Sequence, residues 1–162
     1  MSTTFKNVKP GLALALLTLA FGVGMGISFG VNEDGYIASI TAGIEANPSV
    51  HDQQSAAKIW RYAQRAHFHA AGISAFSLGL IILCAFTGMK ASSMKLASTL
   101  VGLSGFYALS WYTMYQLAPS IGRGAAHDHV LTEIFTYVGV GGLLLGFLMI
   151  IGNIFFGLFN AR

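Results

Sequence analysis

Four stretches of this chain carry no charged residue and are each long enough to cross a bilayer: about 11–31, 70–89, 96–118 and 134–160. A helix rises 1.5 Å per residue, so about 20 apolar residues span a hydrocarbon core roughly 30 Å thick. Inside lipid every backbone N–H and C=O needs an internal partner, which leaves helices or closed barrels. Barrel strands would alternate apolar and polar residues over about ten positions, and no such alternation occurs here. The expected fold class is therefore all-α: an integral membrane four-helix bundle forming one domain over residues 1–162. The composition agrees, since only 9% of residues are charged and 54% are hydrophobic, against about 25% charged in soluble proteins.

Lys6 and Lys9 precede the first apolar run as in a signal peptide. That run outlasts the roughly 7 to 15 residues of a signal h-region, so it reads as a span. The basic residues fall into two groups. Lys6, Lys9, Lys90, Lys95 and Arg162 lie on one side without any acid. Lys58, Arg61, Arg65 and Arg123 lie on the other, with Glu33, Asp34, Glu45, Asp52, Asp128 and Glu133. The positive-inside tendency puts both termini in the cytoplasm and the acidic side in the periplasm of a bacterial-type inner membrane. Although the pI is 9.2, the cations are scattered at the ends of apolar runs, so lipid and not nucleic acid is the partner. Cys84 stands alone in an apolar run and reads as a core residue.

The long connection, 32–69, is expected to be partly helical. Tyr36, Ile37, Ile40 and Ile44 have helical spacing and suggest a short amphipathic helix on the membrane surface. Asn47-Pro48 looks like an N-cap followed by Pro at the first helical position, starting a helix that continues into the second span. Residues 58–69 would then be an outer extension of that span. All tyrosines and tryptophans lie toward the outer side, where an interfacial aromatic belt accounts for them. Gly22, Gly26 and Gly30, then Ala71, Ala75 and Gly79, then Gly142 and Gly146 recur at four-residue spacing. Such stripes let helix backbones approach closely, within the bundle, between copies or against other membrane subunits.

The chemistry-bearing residues are concentrated on the outer side, with the pairs His67/His69 and His127/His129 at the starts of the second and fourth spans. Residues two apart on a helix point about 200° from each other, so one histidine per pair is expected to face the interior. The ridges Arg61/Arg65/His69 and His129/Glu133/Tyr137 point to His69 and His129, with Glu133 needing a partner such as Arg65. Three ligand readings follow. A transition metal (Cu, Zn or Fe) could be held by His69, His129 and Glu133 with His127, His67 or Asp128. A haem b could take one histidine from each helix, beside Arg65 and Tyr62. A quinone or other amphiphile could be hydrogen-bonded by the histidines and Tyr62 or Tyr112. A fourth possibility is that these groups only satisfy one another where helices meet water. The preferred expectation is a haem- or metal-binding subunit of a respiratory or oxidase-type electron-transfer assembly; a purely structural membrane subunit is an alternative.

Arg61 to His67, reading Arg-Tyr-Ala-Gln-Arg-Ala-His before an apolar span, resembles the segment that opens the second helix of the MAPEG family of membrane glutathione transferases and isomerases. The resemblance implies binding of glutathione or lipophilic substrates, with Arg61, Arg65 and His67 toward the tripeptide's carboxylates. Where that family has an Asn and a Glu further along, this chain has His69 and Gly72.

Overall fold

The structure is a computed structural model and describes residues 3–161. Among the described residues are six α-helices: α1 (Thr3–Ala46), α2 (Ser55–Ala85), α3 (Ala91–Gly102), α4 (Phe106–Ile121), α5 (Arg123–His127) and α6 (Val130–Phe156). No β-sheet occurs among the described residues; an isolated bridge joins Met89 and Asn160. The all-α expectation holds, and α1, α2 and α6 are each long and apolar enough to cross a membrane.

The third apolar run is not one α-helix. α3 and α4 are joined by a 3-10 turn at Leu103–Gly105, flanked by backbone angles that stay in the right-handed helical region. The cause lies in the packing against α1. A side chain at Gly102 would strike the backbone of Gly11, and one at Gly105 would strike Thr18. Glycines permit that approach, and they weaken the α-helix at the same place. Ser104 Oγ bonds Ser77 Oγ of α2 at 2.8 Å, joining two buried hydroxyls that would otherwise be unpaired in an apolar interior.

The expected surface helix at 36–44 is instead a continuation of α1 beyond a kink at Asn32, whose φ of −144° and ψ of 40° leave the helical region. Tyr36, Ile40 and Ile44 form an i, i+4, i+8 stripe that packs with Ile59 and Ala63 of α2 and with Tyr115 and Ala118 of α4. Ile37 is off that stripe and exposed. Asn47 and Pro48 do start a helix, but it is a single 3-10 turn, Pro48–Val50, and α2 begins only at Ser55. Several aromatic residues assigned to a belt are in fact inside this cluster. Phe29 meets Tyr36 and Trp60 edge-on at 5.0 Å each, the geometry that the ring quadrupoles favour.

α2 runs antiparallel to α1 and to the α3–α4 rod, α6 runs antiparallel to that rod, and α1 and α3 pack in parallel. Gly22 of α1 lies against Ala70 and Ala71 of α2, and Gly139, Gly142 and Gly146 of α6 climb down Tyr107, Leu100 and Ala97. At the inner end Asn153 of α6 is buried and ties three chain segments together. Its Nδ2 donates to Thr87 O at 2.7 Å and to Asn160 Oδ1 at 3.1 Å, while its Oδ1 accepts from Phe159 N at 2.9 Å. α6 stops at Gly157, whose φ of 64° is a left-handed helix end that glycine adopts without strain.

At the outer end the α1–α2 connection is fastened to α4 and α5. His51 Nε2 bonds Pro119 O at 3.0 Å, and Arg123 pairs with Asp52 at 2.7 Å. Asp52 Oδ1 also accepts from Gln54 N and Ser55 Oγ, both at 2.9 Å. The Ser55 hydroxyl has the largest effect and lowers the Asp52 carboxyl below its ordinary 3.8; burial, next in size, opposes it, and the Gln54 amide and the charges of Arg123 and Lys58 lower it further. A depressed folded value means that the contribution is fully present above the ordinary carboxylate range and is lost as pH falls through the lower folded value. Asp52→Asn is therefore expected to lower the melting temperature at pH 7, by an amount that shrinks as pH falls below 3.8. A melting-temperature difference that stayed constant as pH fell through the acid range would show that the charge is not the cause.

Candidate functional site

Three faces of the outer end receive the histidines, and this separates them. On α2, Lys58, Arg61, Tyr62, Arg65 and His69 recur at helical spacing, so they share one side of the helix. Arg65 places its guanidinium 4.7 Å from the centre of the Trp111 ring of α4. Tyr62 packs on the same tryptophan at 5.7 Å, and His69 lies 5.8 Å from it and 4.9 Å from Tyr107. Trp111 thus gathers three α2 side chains. Such cation–π contacts contribute about 0.5–1 kcal/mol when exposed to water.

His67 points the other way, toward α1. Its Nδ1–H donates to Gly22 O at 2.8 Å, and its ring fills the space that Gly26 leaves. The half-buried His67 is therefore a strut between α1 and α2 and not the outward residue that its partner His69 suggested. Phe29 lies against its ring at 6.0 Å.

On the fourth helix the expected ridge does not form. His129 is the N-cap of α6, with extended backbone angles, and its Nδ1 accepts from Leu131 N at 3.3 Å. An N-cap residue is outside the helical register, so His129 cannot continue the line of Glu133 and Tyr137. His127 ends α5, exposed, and its Nδ1 bonds Asp128 Oδ1 at 2.7 Å. Glu133 is exposed and forms no ion pair with Arg65, which is taken up by Trp111.

These placements correct the metal and haem readings. Among the described residues no three or more His, Cys, Asp or Glu side chains come together as a group that could hold a metal. His69, His129, Glu133, His127, His67 and Asp128 are distributed over separate contacts, so the Cu, Zn or Fe site, the haem b with its electron-transfer role, and the oxidase-type subunit all fall. For haem, the rings of Tyr107 and Trp111 lie directly beside His69, where a macrocycle would have to stack. The displacement of His129 was not legible without knowing that α5 and α6 break apart at 128–129.

Two of the cavities at this end of the bundle are lined by charged side chains. Lys58, Arg61, Tyr62 and Arg65 line one of about 190 Å³. Among the described residues none of its three cations has a carboxylate within 4.0 Å. The other, about 170 Å³, lies between α4 and α6 and is lined by Tyr107, Trp111, Glu133 and Tyr137 among others. Lys58 and Trp111 did not stand out in the sequence as site residues. The 58/61/65 spacing was readable, whereas the role of Trp111 depends on how α2 and α4 pack. No family model, curated protein or solved structure matches this chain.

Proposed function

We propose that the chain is a single-domain, four-span bundle of a bacterial-type inner membrane, with α3 and α4 together forming the third span and both termini cytoplasmic. Its function on this reading is to bind an amphiphile with an oxyanion head and an apolar body, held by Lys58, Arg61, Arg65 and Tyr62 at the outer surface. The observation that carries it is the cavity shared by three cations, none of which has a carboxylate within 4.0 Å among the described residues. Topology adds weight: the outer side is where basic residues are disfavoured, so three on one helix face there ask for a reason. Arginine forks suit carboxylate and phosphate oxygens, and tyrosine adds a donor. The likeness of 61–67 to the glutathione enzymes points to the same chemistry, now through Arg61 and Arg65 alone, because His67 is engaged with α1.

The test is binding to the detergent-purified protein. S-hexylglutathione and phosphatidylglycerol are titrated separately, and the change in melting temperature is read. Saturation by the first identifies a glutathione-type ligand and by the second a lipid headgroup. Arg61 is exposed, so Arg61→Gln should leave the fold intact and weaken either ligand roughly tenfold. The residual binding should also depend less on salt. If neither compound shifts the melting temperature, the proposal fails and a purely structural subunit is left.

A further inference from the structure

We propose that the cleft between α4 and α6 binds a small organic ammonium that carries an oxygen acceptor, the chemistry of an amino alcohol. This site shares no charged residue with the α2 cavity and stands whether or not that cavity binds anions.

The argument begins with where the hydroxyl protons go. Ser110 Oγ donates to Tyr107 O at 2.8 Å, Thr132 Oγ1 to Ala126 O at 2.8 Å, and Thr136 Oγ1 to Thr132 O at 2.8 Å. All three hydroxyls line the cleft, and with their protons committed to the main chain they can offer only oxygen lone pairs. Glu133 adds a carboxylate that forms no ion pair among the described residues. At the rim His127 uses Nδ1 on Asp128, so in its neutral form Nε2 is a further acceptor. No lysine or arginine lines the cleft; Arg65 lies against the Trp111 ring, and Asp128 adds a second negative charge beside the rim. A wall in which acceptors predominate, with the Glu133 carboxylate among them, selects donors, and a cation above all.

The aromatic walls agree with that choice. Tyr107, Trp111 and Tyr137 flank the same space, and aromatic faces attract ammonium groups that have partly left water. Tyr107 and Tyr137 bring hydroxyls that can donate or accept, whereas the indole N–H of Trp111 can only donate, and it is buried and has no acceptor. A buried donor without a partner costs free energy. An oxygen two or three bonds from the ammonium would accept from it while the ammonium meets Glu133. Free ethanolamine and the ethanolamine headgroup of a phospholipid both present this pair.

The experiment uses the full chain with Trp60→Phe, so that Trp111 is the one remaining indole, in neutral maltoside micelles. Ethanolamine is titrated while Trp111 emission is followed. A saturable change is expected, at least tenfold weaker in Glu133→Gln and absent with ethylene glycol. Ethylammonium should bind more weakly than ethanolamine; equal affinity would overturn the pairing with Trp111. If phosphatidylethanolamine added to the micelles reproduces the change and diacylglycerol does not, the ligand is lipid-borne. If only the free amine acts, it is soluble. No saturable response to either, or unchanged affinity in Glu133→Gln, overturns the proposal.

Discussion

Gly11→Val is expected to prevent the bundle from assembling. A Cβ at position 11 would run into the carbonyl of Ser98, and a contact with main chain cannot be relieved by a rotamer change. The facing glycine, Gly102, has its own space filled by Gly11, so the two backbones would have to separate. In lipid little hydrophobic force holds helices together, and close van der Waals packing is what is lost. Overpacking costs typically 1–3 kcal/mol, and a rigid backbone contact places this case at about 3 kcal/mol or more. Size-exclusion chromatography of the detergent-solubilised variant should show aggregation in place of a monodisperse peak. Gly24→Val, where nothing lies within 4 Å of the added carbon, is the control. If both variants behave alike, the close approach is not what holds α1 to α3.

The second large effect is expected at Asn153. Replacing it by Leu keeps the approximate volume and removes three hydrogen bonds at once, leaving Thr87 O and Phe159 N without these partners. Each buried polar group so orphaned costs about 1–3 kcal/mol. The loss should be about 2–5 kcal/mol, seen as a lower melting temperature and as faster proteolysis of the 157–161 tail. Asn153→Asp should rescue only part, because a carboxylate can still accept from Phe159 N but cannot donate to Thr87 O. Equal stability of wild type and Asn153→Leu would show that the backbone bonds Lys90 N–Phe159 O and Ala161 N–Gly88 O suffice to hold the tail.

Much of the architecture was readable in the sequence because the hydrocarbon thickness dictates segment length. The apolar runs became α1, α2, α6 and the α3–α4 rod, displaced at their ends by several residues. The continuation of α1 past Asn32 was hidden, since a polar stretch of Asn-Glu-Asp-Gly reads as a loop and the stripe Tyr36/Ile40/Ile44 acquires meaning only against Ile59 and Tyr115. The site was less legible for a related reason. Histidine pairs two residues apart have a definite geometry only if the helix is unbroken. The N-cap at His129 removed that premise, and the glycines at 22 and 26 turned His67 toward α1. The buried serines also gave no signal, because short hydroxyls bond to their own preceding turn and vanish into an apolar pattern.

The 3-10 turn at Leu103–Gly105 has a consequence in angular phase. α1 is met successively by Ser98, Gly102, Gly105, Tyr112, Tyr115 and Pro119 of the α3–α4 rod. Those positions span about 21 residues, which at 100° each in an ideal helix fall roughly 60° short of six full turns. Three residues wound at 120° in place of 100° add back about 60°. The tightened turn therefore returns the rod to the same azimuth, so that Pro119 at its far end still faces α1 and fills the space beside Gly43.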